Sequence, residues 1–235
     1  MVPVVLVHGG GFDHRCWDLL RPNLDGPSIA VDLPGRGRHP APMESVTLAA
    51  CGQSIAHDVD EAGFDDIVLV GHSLAGCSMP ATVGLLGDRV RHAVFVACTV
   101  PEDGTSSLDT LDPEVQAMAR EGLEGGATGV LDSALAKDLF GNDLDDEQFA
   151  WCVERMVPEA PSLITAPVDL APLRVPFPRT WVRTVHDAVL DRDKQLRFAQ
   201  NVPDCPVVDF DAAHMAMISQ PEALAQLLNG IAADP

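Results

Sequence analysis

Apolar residues along this chain fall in short dense runs, each closed by glycine, proline or charge. Residues 2–7 (VPVVLV) are apolar and β-branched and stop at His8-Gly9-Gly10-Gly11, which predicts a strand covered on both faces. Residues 14–24 place Trp17, Leu20 and Leu24 on one side of a short helix. A second strand, 28–33 (SIAVDL), is broken by Pro34-Gly35. A helix is expected over 45–62, with Ser45 or Thr47 to cap it and Gly63 to end it. The run 66–70 (DIVLV) predicts a third strand, followed at once by Gly71-His72-Ser73, then a helix over 74–86 despite Gly76 and Pro80, then a fourth strand over 90–97.

The pattern changes at residue 100. Helix-like stretches at 112–122, 131–140 and 145–156 alternate with glycine and acidic residues, and Gly122, Gly125, Gly126 and Gly129 separate the first two. Six prolines in 157–178 predict an irregular return. Strand and helix signals then resume at 180–186, 191–201, 205–210 and 221–232. This alternation predicts an α/β fold: a mostly parallel sheet of about six strands with helices on both faces. Residues 100–176 are too long for an ordinary crossover. They are expected to form a helical cap over the carboxyl ends of the strands, between core segments 1–99 and 177–235, where open α/β sheets bind ligands.

Composition narrows the function classes. The chain has 235 residues, 46% of them apolar and 21% charged, which excludes a mostly disordered protein. Fifteen Lys and Arg against 35 Asp and Glu give a net charge of −20, so neither nucleic acid nor an anionic membrane is an expected partner. Cysteines 16, 51, 77, 98, 152 and 205 form no CxxC pair and read as free, mostly buried thiols of a reducing compartment. No positive leader precedes the first apolar run, and no run approaches the roughly 18 residues of a membrane span. A cytoplasmic protein is the expectation.

The stretch IVLVGHSLAGCSMP carries the sharpest chemistry. A strand running into Gly71-His72-Ser73-Leu74-Ala75-Gly76 and then a helix resembles the nucleophile elbow of α/β-hydrolases. The tight turn demands small neighbours two residues from Ser73; Gly71 meets this, and Ala75 stands where the usual residue is Gly. A serine hydroxyl needs a base. In this fold the order along the chain is Ser, acid, His. His214 is the one histidine after the last strand, and Asp187 follows the penultimate strand directly; Asp191 and Asp193 read as capping or surface groups. The N–H groups of Leu74 and Gly10 are the expected oxyanion donors, with Gly11 replacing Gly10 if the loop is shifted. The glycine run is not a phosphate loop, because no Gly-Lys-Ser/Thr follows it. His8 is expected to be a structural hydrogen-bonder beneath it.

Over nearly its whole length the chain resembles the α/β-hydrolase superfamily, through VLVHGGGFDHRCWDLL, AVDLPGRGRHP and LVGHSLAG. The ending AAHMAMISQP is similar to the tail of the plant methylesterase and hydroxynitrile lyase group and its bacterial esterase relatives. The resemblance implies Ser73 as nucleophile, Asp187 as acid, His214 as base, and Gly10 and Leu74 as oxyanion donors. Lyase members carry Thr in the first loop and Lys after the histidine; here those places hold Gly9 and Met215, which favours hydrolysis of a small ester or thioester. A cyclase or lyase using the same serine and histidine, or a receptor that keeps the triad, are the alternatives. No metal or organic cofactor is expected. Pocket candidates are Gly11, Cys98, Phe140, Phe149, Trp151, Met156 and Met215. The oligomeric state is left open.

Overall fold

The computed structural model describes residues 1–124 and 130–235. Strand β1 (Val4–Val7) pairs in parallel with β2 (Ser28–Val31). Between them the expected single helix is replaced by two 3-10 turns, His14–Trp17 and Arg21–Asn23. Pro22 is the reason: it has no N–H to donate to the Asp18 carbonyl, so a continuous α-helix cannot run through it. The burial survives the change, since Trp17 and Leu20 are fully enclosed. Helix α1 (Leu48–Glu61) starts where Thr47 Oγ1 accepts from Ala50 N–H, so Thr47 rather than Ser45 is the cap. Strand β3 (Ile67–His72), helix α2 (Ala75–Leu86) and strand β4 (Val90–Val96) follow in the expected order.

Among the described residues, four α-helices occupy the insertion before the next strand: α3 (Pro113–Glu124), α4 (Ser133–Phe140), α5 (Asp146–Val153) and the short α6 (Pro161–Thr165). Gly122 lies inside α3 and does not end it; Gly125, Gly126 and Gly129 lie outside the described residues. The proline-rich return is less irregular than expected. Pro161 sits in the first turn of α6, where its missing N–H has no partner to lose. The chain closes with β5 (Arg179–Thr184), α7 (Arg192–Gln200), β6 (Val207–Phe210), the four-residue α8 (Ala216–Ser219) and α9 (Pro221–Ala233).

The six strands form one sheet in the order β2-β1-β3-β4-β5-β6, and every pairing is parallel. Period-two alternation sends Val5, Val7, Ile67 and Leu69 to one face, against α1, α2 and α7. Val4, Leu6, Val68 and Val70 go to the other, against Trp17, α9 and the insertion. Both faces are covered, which is why the strands read as unbroken apolar runs. Strand β6 is the exception, an exposed edge whose Asp209 is paired with Arg183 and Arg192. No helix among the described residues is long and apolar enough to cross a membrane.

Phe95 on β4 and Trp181 on β5 stack in the core, with centroids 5.7 Å apart and rings inclined by 8°. Trp181→Ala is expected to lower the unfolding free energy by about 3–5 kcal/mol, whereas Leu85→Ala, at 55% exposure, should change it by less than about 0.5 kcal/mol. Chemical denaturation of both variants measures the contrast, and equal losses would contradict this placement of the core.

Candidate active site

The strand order reverses about β1: the chain steps from β1 outward to β2, then back past it to β3. A crevice therefore opens beyond the carboxyl ends of β1 and β3, the place where such sheets bind ligands. The glycine loop leaves β1 there, and Ser73 leaves β3.

Ser73 adopts φ 52°, a left-handed conformation that costs a non-glycine residue of order 1–3 kcal/mol. Its N–H donates to Val96 carbonyl at 3.1 Å, and its carbonyl accepts from Gly76 at 3.1 Å and Thr99 at 2.9 Å, so the turn is held from both sides. Gly71 is required because a Cβ there would lie 2.2 Å from Met79 Sδ. Ala75 is accommodated, with its methyl 3.3 Å from that same position.

The three distant side chains meet. His214 Nε2 accepts from Ser73 Oγ at 2.9 Å, and His214 Nδ1 donates to Asp187 Oδ2 at 2.8 Å. Burial alone would raise the Asp187 carboxyl. The facing His214, the N–H of Leu190 and the hydroxyl of Thr184 outweigh it and hold the group below its ordinary value. Gln195, fully buried on α7, bonds to Thr184 and to the Leu190 carbonyl and so fixes the acid loop. The other acids are engaged elsewhere: Asp191 caps α7, and Asp211 faces His186. Beneath the site, His72 donates from Nε2 to the His214 carbonyl at 2.9 Å. Burial, then the adjoining His214, lowers His72 to about 3, so no second cation forms there.

His8 Nδ1 donates to Gly9 carbonyl and its Nε2 accepts from Leu33 N–H, which fixes a neutral ring under the glycine loop. Burial, then Arg36, lowers it to about 4. Gly11 N–H donates to Glu159 Oε2 at 3.0 Å and is not free for an oxyanion. Among the described residues, Gly10 N–H and Leu74 N–H have no protein acceptor. They are neighbours, since a Cβ on Gly10 would lie 3.0 Å from Leu74 Cδ2. Gly9 leaves no room for a branched residue: its Cβ would lie 2.9 Å from both His72 Nδ1 and Ser73 Cβ.

A cavity of about 270 Å³ adjoins these donors. Gly10, Gly11, Leu74, Phe140 and Met156 line it, and Phe140 also stacks on the His214 ring at 5.7 Å. Four expected pocket residues lie elsewhere. Cys98 is fully buried with its thiol donating to Gly71 carbonyl, and Met215 is fully buried in the core. Phe149 packs under the Lys137 ammonium and Trp151 under the Arg155 guanidinium. Their helical spacing suited a pocket wall and a packed face equally, and cation–π contact with the helix surface took them. Phe12, Val157, Glu159 and Ile164 line the cavity without having been foreseen. Phe12 alone had a signal, its place directly after the glycine run.

Burial pushes the thiols of Cys51, Cys77, Cys152 and Cys205 up to about 12, so none of them is an activated nucleophile. One group of ligand-type atoms, from Asp13, His14 and Asp32, lies together among the described residues. Its carboxylates are already taken: Asp13 accepts from Arg15, and Asp32 accepts from His14 and Arg38.

Comparison with known proteins gives the family and the fold. The family model described as "Alpha/beta hydrolase family" matches residues 4–227. Putative methylesterase 12, chloroplastic, of Arabidopsis thaliana is 25% identical over 250 residues, covering 98% of this chain and 72% of its own. Probable esterase PIR7A of Oryza sativa is 28% identical over 255 residues, covering 97% and 96%. Among solved structures, an extracellular alpha/beta-hydrolase from a Paenibacillus species superposes with TM-score 0.86 at 20% identity, covering 97% and 98%. These relatives overturn the cytoplasmic expectation, since methylesterases 11, 12, 14 and 15 among them are chloroplastic by name.

The lowered Asp187 carboxyl sets a pH dependence. Its interactions stabilise the fold fully above the unfolded value of about 3.9 and are lost as pH falls through the lower native value. Asp187→Asn should therefore be less stable than the parent at pH 7, by a margin that narrows as pH is lowered through about 4. Denaturant titrations across that range measure the margin; a constant difference would contradict the assignment.

Proposed function

The chain belongs to the alpha/beta hydrolase family, and on that premise we propose that Ser73, His214 and Asp187 are its catalytic residues, with Gly10 and Leu74 as oxyanion donors. The protein is a serine hydrolase acting on small carboxylic esters. The observation that carries the assignment is the pair of bonds through His214, 2.9 Å to the Ser73 hydroxyl and 2.8 Å to the Asp187 carboxylate.

The geometry dictates the proton path. His214 Nε2 takes the Ser73 proton as Oγ attacks the ester carbon, and Asp187 stabilises the imidazolium that forms. The carbonyl oxygen becomes an oxyanion against the two unpartnered N–H groups, each donor of this kind contributing about 10²–10³ in rate. The imidazolium returns its proton to the departing alkoxide, leaving an acyl-enzyme. Water, deprotonated by the same imidazole, attacks the acyl carbon; the acyl–Oγ bond breaks, the imidazolium returns that proton to Ser73 Oγ, and the acid is released.

Residues 100–176 act in this reading as a cap on a core of 1–99 and 177–235. Phe140, Met156 and Glu159 bring the cap to the cavity wall. The small, mostly apolar cavity and the methylesterase relatives support a methyl ester of a compact, uncharged acid as substrate. Cyanohydrin cleavage has no support: Met215 is apolar and fully buried, so the position after His214 offers no cation to a leaving cyanide.

A panel of small methyl, ethyl and thioesters tests the reading, with free acid quantified directly. Ser73→Ala should lower kcat by at least about 10⁴-fold while KM changes little. Undiminished acid release by that variant would refute the nucleophile.

A further inference from the structure

One buried ion pair joins the insertion to the glycine loop and has no part in the proton path. Glu159, which enters just before α6, is 14% exposed at its side chain, and Arg36, from the loop after β2, is 1% exposed. The carboxylate is fully used. Oε2 accepts from Gly11 N–H at 3.0 Å and from Arg36 Nη1 at 3.0 Å; Oε1 accepts from Ala160 N–H at 2.7 Å and from Arg36 Nη2. Arg36 Nη1 also donates to Phe12 carbonyl at 3.1 Å. The pair therefore grips both Gly11 and Phe12. A third bond, from Val157 N–H to Gly11 carbonyl at 2.8 Å, ties the same segments.

The position is electrostatically awkward. A Cβ on Gly10 would lie 3.3 Å from Glu159 Oε2, so a carboxylate stands beside a loop whose task is to receive negative charge. A bare carboxylate there would oppose the oxyanion in a low-dielectric setting. The Arg36 guanidinium, in two-pronged contact with it, cancels that charge.

We propose that Glu159 and Arg36 are positioning residues of the oxyanion loop. Glu159 occupies Gly11 N–H and so leaves Gly10 N–H to face the oxyanion, and Arg36 neutralises the charge that Glu159 brings. The inference rests on the serine-hydrolase reading of the site.

Steady-state kinetics of the full chain on a neutral methyl ester test it. Glu159→Ala frees the loop and should lower kcat ten- to thirtyfold with KM within about threefold. Glu159→Gln, whose amide oxygen again accepts from Gly11, should recover most of that loss. Arg36→Gln leaves the carboxylate bare and should lower kcat thirty- to a hundredfold. Adding Glu159→Gln to Arg36→Gln should then raise kcat above the single variant. A purely structural pair gives the opposite: a double variant no faster than either single. That outcome, or parental kcat in Glu159→Ala, would overturn the proposal; the two Glu159 variants decide it if Arg36→Gln does not fold. Labelling of the parent by a serine-reactive phosphonate is read alongside, because its absence would instead count against the hydrolase reading.

Discussion

The site depends on a single backbone conformation. At φ 52°, Ser73 stands at the tip of a strand-to-helix turn with Oγ presented to His214. A regular helix start would satisfy the chain more cheaply, but it would aim the hydroxyl elsewhere. The strain persists because its surroundings over-determine it. Two backbone bonds hold Ser73 to β4 and the segment after it, a third joins it to Gly76 in α2, and Gly71 lets Met79 pack where a side chain would stand. The sheet thus supplies a rigid anvil, and the reactive groups come from loops fixed to it.

The insertion does more than cover the cavity. Glu159 bonds to the glycine loop, Asp143 accepts from Ala213 N–H beside His214, and Asn142 donates to the His186 carbonyl beside Asp187. Gln148 reaches the Ile218 carbonyl just past His214, and Phe140 stacks on the imidazole itself. The glycine loop and the loops that carry His214 and Asp187 are therefore tied to the insertion as well as to the core. Residues of α4, α5 and the turn between them thus form part of the surroundings of the imidazole.

Much of this was readable from the residues, for physical reasons that also explain the failures. Strands buried on both faces leave dense apolar runs, and the elbow leaves a small-residue signature because sterics allow few alternatives. The acid and base were findable because the order of elements fixes which loops converge. The segment 14–24 misled because its apolar spacing survived while Pro22 broke the helix. The four-residue α8 is too short to leave a period. Glu159 left no trace at all: its partners Gly11 and Arg36 lie 148 and 123 residues away, and an acid in a proline-rich stretch looks like any solvated charge. Ala97, with φ 44° at the end of β4, is equally silent, because alanine carries no preference for that conformation.

The most direct measurement is peptide mapping by mass spectrometry after reaction with a serine-reactive phosphonate. The account predicts one phosphonyl group per chain, carried by the peptide containing Ser73, with ester hydrolysis lost in proportion to labelling. An adduct on any other residue, or full hydrolytic activity after Ser73 has been labelled, would contradict it.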